Sequence, residues 1–138
     1  MSEIKVDTLT GKTSAGDITV TSEGGAATMQ LQQSLAKAWA AFNQSGTHSF
    51  RDSSNFSSIT DAGVGVSRFV FTNSMSNAEY ATTGMSGEQA GGGNRVMGFK
   101  GSTVTPSTST FATGNWELTN GSAIDDTRLS VAVLGDLA

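Results

Sequence analysis

His48 is the only histidine in a chain that has no cysteine. These two facts restrict the available chemistry severely. A Ser-His-Asp arrangement can be drawn from His48, Asp52 and any of the many serines. Acyl transfer by that route needs a serine presented on a sharp strand-to-helix turn, and no Gly-x-Ser-x-Gly segment supplies one. His48 therefore reads as a strand residue with a hydrogen-bonded ring. One histidine and no thiolate leave a zinc site short of ligands. Disulfide frameworks and cysteine nucleophiles are excluded outright. The acidic residues do not follow the Asp-x-Asp-x-Asp-Gly calcium spacing, and Asp125-Asp126 reads as a solvated turn, with a place near an ion at a subunit axis as the alternative. Gly98-Phe99-Lys100-Gly101-Ser102 lacks the spacing of a phosphate loop. No catalytic residue, no cofactor and no metal ligand is expected. The aromatic residues carry more information. Trp39, Trp116, Tyr80 and seven phenylalanines must supply most of the buried area. Aromatic rings also stack on sugar faces, so Tyr80, Asn115 and Trp116 are candidate receptor contacts, with core packing the competing use of Trp116.

The elements that would position such residues must be built from an unusual composition. The chain has 138 residues, enough for one domain and an arm. Only 36% are hydrophobic and 14% charged, with a net charge of −4. Gly, Ser, Thr, Ala and Asn dominate, which favours turns and short strands over long helices. A core of this size leaves a lone monomer marginal, and self-association is the natural remedy. Eight Lys and Arg are scattered between Lys5 and Arg128 without a cluster, so nucleic acid is not an expected partner. The opening Met1-Ser2-Glu3-Ile4-Lys5 has no basic n-region and no apolar h-region, so no secretory signal is expected. No apolar run approaches the roughly 20 residues of a membrane-spanning helix, so no membrane insertion is expected.

Glu3–Leu9 alternates, with Ile4, Val6 and Leu9 on one side, and predicts a strand. Asp17–Thr21 alternates again around Ile18 and Val20. Two short strands need a partner, which makes Ile4, Val6, Leu9, Ile18 and Val20 candidate docking residues of an arm over 1–25. Gly24-Gly25-Ala26-Ala27 reads as a hinge. Residues 26–36 form a linker whose Met29–Ala36 stretch has good helix formers, with Leu31 and Leu35 at i, i+4. The following Lys37–Phe42 fits either a continued helix or a strand. Leu31, Leu35, Trp39 and Phe42 are the candidate oligomer contacts. Over 37–138 the pattern predicts strands at Thr47–Asp52, Asn55–Thr60, Val66–Thr72, Ala78–Thr83, Arg95–Gly101, Thr110–Leu118 and Arg128–Leu134. Turn signals stand at Asp61-Ala62-Gly63-Val64-Gly65 and Asn120-Gly121. Gly84–Asn94 has no periodicity and reads as a long loop. The fold class is mainly β: an N-terminal β arm, a short helix, and an antiparallel sandwich of jelly-roll type or a small barrel.

The order of several short segments resembles short tail-fibre and virion structural proteins of marine bacteriophages, cyanophages among them. These segments are Ser2–Leu9, Lys37-Ala38-Trp39-Ala40-Ala41-Phe42-Asn43, Arg51-Asp52-Ser53, Ile59-Thr60-Asp61-x-Gly63, Arg68–Thr72 and Met75–Tyr80. They cover most of the chain from residue 2 to about 83, with Arg128–Leu134 added from the last third. The resemblance implies a homotrimer in the virion, an N-terminal segment that docks on another virion protein, and a C-terminal β knob that meets a host surface glycan or protein. It also implies that Lys37–Asn43 is a strand and that any helix ends near Ala36. Fibres of this kind have a long shaft, whereas this chain has only residues 24–35 in its place. A capsid decoration protein is therefore the alternative expectation, and a small carbohydrate-active enzyme the third.

Overall fold

Leu129-Ser130-Val131-Ala132-Val133-Leu134 shows how the fold is built. Its odd positions are buried and its even positions face outward, as period-2 strand geometry requires. The structure is a computed structural model and describes residues 4–12, 18–21, 25, 28–31, 35–87 and 94–138. Among these the elements are β1 (Thr19–Thr21), β2 (Thr28–Gln30), β3 (Ala38–Asn43), β4 (Ser49–Ser54) and β5 (Phe56–Asp61). They continue with β6 (Val66–Phe71), β7 (Ala81–Ser86), β8 (Arg95–Phe99), β9 (Thr110–Glu117) and β10 (Leu129–Leu134). The chain divides into two units, Met1–Leu35 and Ala36–Ala138. In the first, β1 and β2 form an antiparallel hairpin. In the second, two four-stranded antiparallel sheets run β4-β3-β10-β7 and β5-β6-β9-β8.

One apolar core serves both sheets. Ala38, Ala40 and Phe42 of β3 and Leu129, Val131 and Val133 of β10 face it from the first sheet. Phe56, Phe69, Phe71 and Phe111 face it from the second, with Met75 and Tyr80 from the β6–β7 connection. Phe42 meets Phe69 edge-on at 5.0 Å between the sheets, and Phe69 stacks on Phe111 at 5.1 Å. The small residues of β3 leave the volume that these rings occupy. Close packing of this kind is sensitive to single methylene changes.

The passage from one sheet to the other is made by a single residue. β4 ends at Ser54, β5 starts at Phe56, and Asn55 between them has φ 59°. Asparagine tolerates this left-handed conformation better than other non-glycine residues. Its side chain also fixes the corner. The Asn55 amide donates to the Lys37 carbonyl at 3.0 Å, and its oxygen accepts from the Asn73 backbone N–H at 2.7 Å.

Several expectations change. Residues 4–12 contain no strand, so the predicted Glu3–Leu9 strand is absent where it is described. The predicted helix is also absent, and the described residues contain no helix. Thr28–Gln30 pairs with Thr19–Thr21 instead, so its backbone groups go to a hairpin ladder. Residues 32–34 of the predicted helix lie outside the described residues. Lys37–Phe42 becomes mostly strand β3, because Ala38, Ala40 and Phe42 alternate into the core. Of the hinge, Gly25 is described, between β1 and β2 at φ 70°, and Gly24, Ala26 and Ala27 are not. The start of β7 moves from Ala78 to Ala81, because Asn77 accepts a hydrogen bond from the Glu79 N–H at 2.8 Å and closes an Asx turn. Gly84–Ser86 belong to β7, and residues 88–93 of the predicted loop lie outside the described residues.

Asn55→Ala is expected to lower stability by about 1–3 kcal/mol, through lost hydrogen bonds and a strained φ. Asn55→Gly keeps the dihedral and loses only the bonds, so its loss in urea unfolding should be smaller.

Candidate functional site

The inward rows of β6 and β9 change character along their length. Phe71 and Phe69 are followed by Ser67, and Phe111 is followed by Thr113 and Asn115. Gln44 and His48, in the connection from β3 to β4, are buried with them. One end of the core is thus aromatic and the other polar. Buried polar groups are tolerated when they bond to one another. Gln44 donates its amide to the Ser67 hydroxyl at 3.0 Å, and that hydroxyl lies 3.1 Å from His48 Nδ1. His48 Nε2 lies 3.7 Å from Asp61 Oδ1 and 4.0 Å from Asp125 Oδ1. Both carboxylates are anchored by turn N–H groups, Gly63 to Asp61 at 2.8 Å and Gly65 to Asp125 at 2.6 Å.

A second cluster centres on Asp126, which is fully buried. It accepts from the Ser86 hydroxyl at 2.6 Å and from the Asn115 amide at 2.9 Å. Arg95 Nε stands 3.3 Å away in an ion pair, while Arg95 Nη1 reaches Glu117 at 3.0 Å. The two clusters tie the β3–β4 and β5–β6 connections to the β9–β10 connection. The sequence Ser67–His48–Asp61 has the residue types of a nucleophile, a base and an acid, but Ser67 and the His48 side chain have no exposed surface. A substrate carbonyl therefore has no approach to the hydroxyl in this arrangement. Among the described residues, no group of three or more His, Asp or Glu side chains is placed to hold a metal ion.

The opposite face of the first sheet is open. Directly paired strand residues share a face. Ser54, Trp39, Ala132 and Thr83 thus form one outward row. Asp52, Ala41, Ser130 and Met85 form the next. The register shifts between Ala41 and Phe42, which makes Arg51 the extra residue of β4. The Arg51 guanidinium donates to the Thr127 carbonyl from Nε at 3.1 Å and from Nη2 at 2.8 Å. Two adjoining hollows result. One of about 350 Å³ is bounded by Trp39, Thr83 and Met85, and one of about 450 Å³ by Arg51, Met85 and Arg128. Ala41 and Ser130 form the floor of both.

The candidate residues are distributed as follows. Trp39 remains 41% exposed, but Phe42 is fully buried in the core of its own chain and is removed from the surface contacts. Asn115 is likewise buried and bonded to Asp126, so it is not a receptor contact. Tyr80 is buried, with its hydroxyl donating to the Ser107 carbonyl at 3.0 Å. Trp116 is half-buried beside Gly114, with Lys100 Nζ 5.4 Å from its ring. Added to Gly114, a Cβ would collide with that indole, so Trp116 serves packing first. In the first unit, Ile4, Val6, Leu9 and Val20 are exposed, and the Ile18 carbonyl accepts from the Leu31 N–H at 2.8 Å. Leu35 is exposed, and no described helix aligns it with Leu31. Sequence reasoning missed Arg51, Arg128 and Met85 on the open face and Arg95 in the buried cluster, and it read Asp126 as part of a solvated turn, whereas Asp126 is fully buried because Ser86, Asn115 and Arg95 surround its carboxylate. Strand parity held part of that signal, since Trp39 and Ala41 on β3 share a phase opposite to Phe42.

Comparison of the chain with protein-family models, curated protein sequences and solved structures gives no match.

Burial pushes the Tyr80 phenol up to about 12, with the bond to Ser107 partly offsetting it. The unfolded chain gives up this proton near pH 10, so the stability from Tyr80 is full below about pH 10 and lost as pH rises towards 12. As Tyr80 is the only tyrosine, absorbance titration should show one phenolate step near 12, returning to about 10 in denaturant. Asp126→Ala would leave Arg95 half-paired in the interior and is expected to cost about 3–5 kcal/mol in urea unfolding.

Proposed function

We propose that this chain is a bacteriophage virion structural protein, a short homotrimeric tail fibre or adhesin whose work is binding. The observation that supports this reading is the contrast between the enclosed polar end of the core and the open outer face of the first sheet. The groups able to do chemistry, Ser67 and His48, are enclosed, whereas Trp39, Met85 and Leu134 stand exposed on a regular strand surface. Exposed apolar groups on a rigid scaffold suit recognition. The same contrast ranks the carbohydrate-active enzyme last.

In this reading residues 37–138 form a β-sandwich knob. The hairpins β3–β4 and β5–β6 each stay within one sheet, which favours stacked hairpins over jelly-roll wrapping. The N-terminal unit docks on another virion protein through Ile4, Val6 and Leu9, which are all exposed. Val20 on β1 extends that apolar set. Leu31 and Leu35 are the subunit contacts, and Trp39, expected as a third, faces the host surface instead. Three linked knobs raise a weak contact by avidity. Capsid decoration is the second reading. It is favoured by the short connection between Gln30 at the end of β2 and Ala38 at the start of β3, which has no room for a shaft.

Light scattering coupled to size exclusion is expected to give three times the 14.1 kDa of the chain. A monomer at micromolar concentration would overturn the trimer. On purified particles, a few multiples of three copies at the tail would support the fibre, and hundreds on the shell the decoration protein.

A further inference from the structure

We infer that the furrow across β3, β10 and β7 binds an acidic oligosaccharide, with Trp39 stacking on a sugar face and Arg128 and Arg51 meeting a carboxylate. The inference rests on the adhesin reading and gives it a ligand class. Its basis is the register. Trp39 lies opposite Ala132, and Arg128 is four residues back along the chain, immediately before β10, about 13 Å at 3.3 Å per residue of extended chain. That separation exceeds one pyranose ring, so the site spans linked sugars. Between the two ends the floor is Ala41, Ser130 and Ala132, low enough for a ring to lie on the sheet. Met85, 74% exposed, forms the far wall.

The charge is complementary to an anion. The chain carries −4 overall, yet among the described residues the two hollows are lined by two arginines and no carboxylate. Asp52, exposed and paired with Ala41, stands on the same face at the margin of the furrow, where its Oδ1 accepts from the Ser53 N–H at 2.9 Å. Arg51 is held in place by the Thr127 carbonyl, which pre-orients its guanidinium for a planar anion. A peptide is the weaker fit. The floor strands β3 and β10 are each paired on both sides, so strand addition could occur only at the β7 edge and not along the furrow. Polynucleotide binding needs a longer row of cations than two. What the face does offer is an indole, the hydroxyls of Ser130 and Thr83, and two guanidiniums, the groups that read hydroxylated rings bearing a carboxylate.

The test is a glycan array carrying uronate, sialate and neutral oligosaccharides, followed by calorimetry on the best ligand and on the same ligand with its carboxylates reduced to alcohols. Retention confined to acidic glycans is expected, with affinity falling at least tenfold on carboxylate reduction, in Trp39→Ala and in Arg128→Gln. Trp39→Phe should retain part of the affinity, and Trp116→Ala should leave it unchanged. Thermal melts of each variant separate lost binding from lost folding. The inference is overturned if no acidic glycan is retained, or if neutral glycans bind equally. It is also overturned if Trp39→Ala and Arg128→Gln bind as the parent does, or if an acidic peptide or a polynucleotide competes at equal concentration. Location on the particle is a separate measurement. A virion protein that ignores acidic glycans would remove this inference alone, and a glycan binder absent from the particle would remove the virion reading alone.

Discussion

The edge-on contact of Phe42 with Phe69 is the joint on which the second unit depends. One ring comes from β3 and the other from β6, so this contact is made between the sheets rather than within one. Ring pairs of this geometry contribute about 0.5–1.5 kcal/mol beyond their buried area, and Phe69 also stacks on Phe111. The contact also explains two neighbouring features. The β3–β4 register shifts at the Ala41/Phe42 step, with Phe42 paired to Phe50 and Ala41 to Asp52. An added residue there lets Phe42 stay inward while the strand bends around the core. Asn55 then returns the chain to the second sheet in one step, which places Phe56 beside Phe69 at 5.2 Å.

The core is graded along its length. Rings fill one end, and hydrogen-bonded polar groups fill the other, from Gln44 and His48 to Asp126. A graded interior has a different cost at each end. The aromatic end gains from area alone, and the polar end from the bonds among its members, with Gln44 Oε1, Thr113 Oγ1 and Asn115 Oδ1 left without a hydrogen-bond partner among the described residues. Such a network holds three connections in one arrangement and leaves the outer strand surface of the first sheet rigid.

Most of the second unit was legible from its alternation. Phe69 and Phe71 share a phase, as do Leu129, Val131 and Val133, and a one-residue slip would turn either set outward. Strand ends were less legible. Asn77 captured the Glu79 N–H and delayed β7, a local bond that composition does not announce. The helix failed because the helix-forming residues after Thr28 are too few to nucleate against a competing hairpin. The candidate site was the least legible part. Asn115 and Asp126 are polar residues whose burial depends on strands far apart in sequence, and Arg51 reaches its face only through the added residue in β4. Pairing across 76 positions, as between Arg51 and Thr127, leaves no trace in local pattern.

β10 fills the middle of the first sheet, yet it is synthesised after β3 and β7, which it joins. On the ribosome, β3 and β7 emerge with an unfilled gap between them and exposed ladder edges on both sides. The second sheet is complete by Glu117, so it can pair and bury part of its aromatic face earlier. Its companion must wait for Leu129–Leu134 and closes by long-range contacts, a slow step in chains of high contact order. During that interval the nascent chain presents two open strand edges that match a single segment, which is the segment a neighbouring copy also carries. The strand made last is thus the one that closes the first sheet.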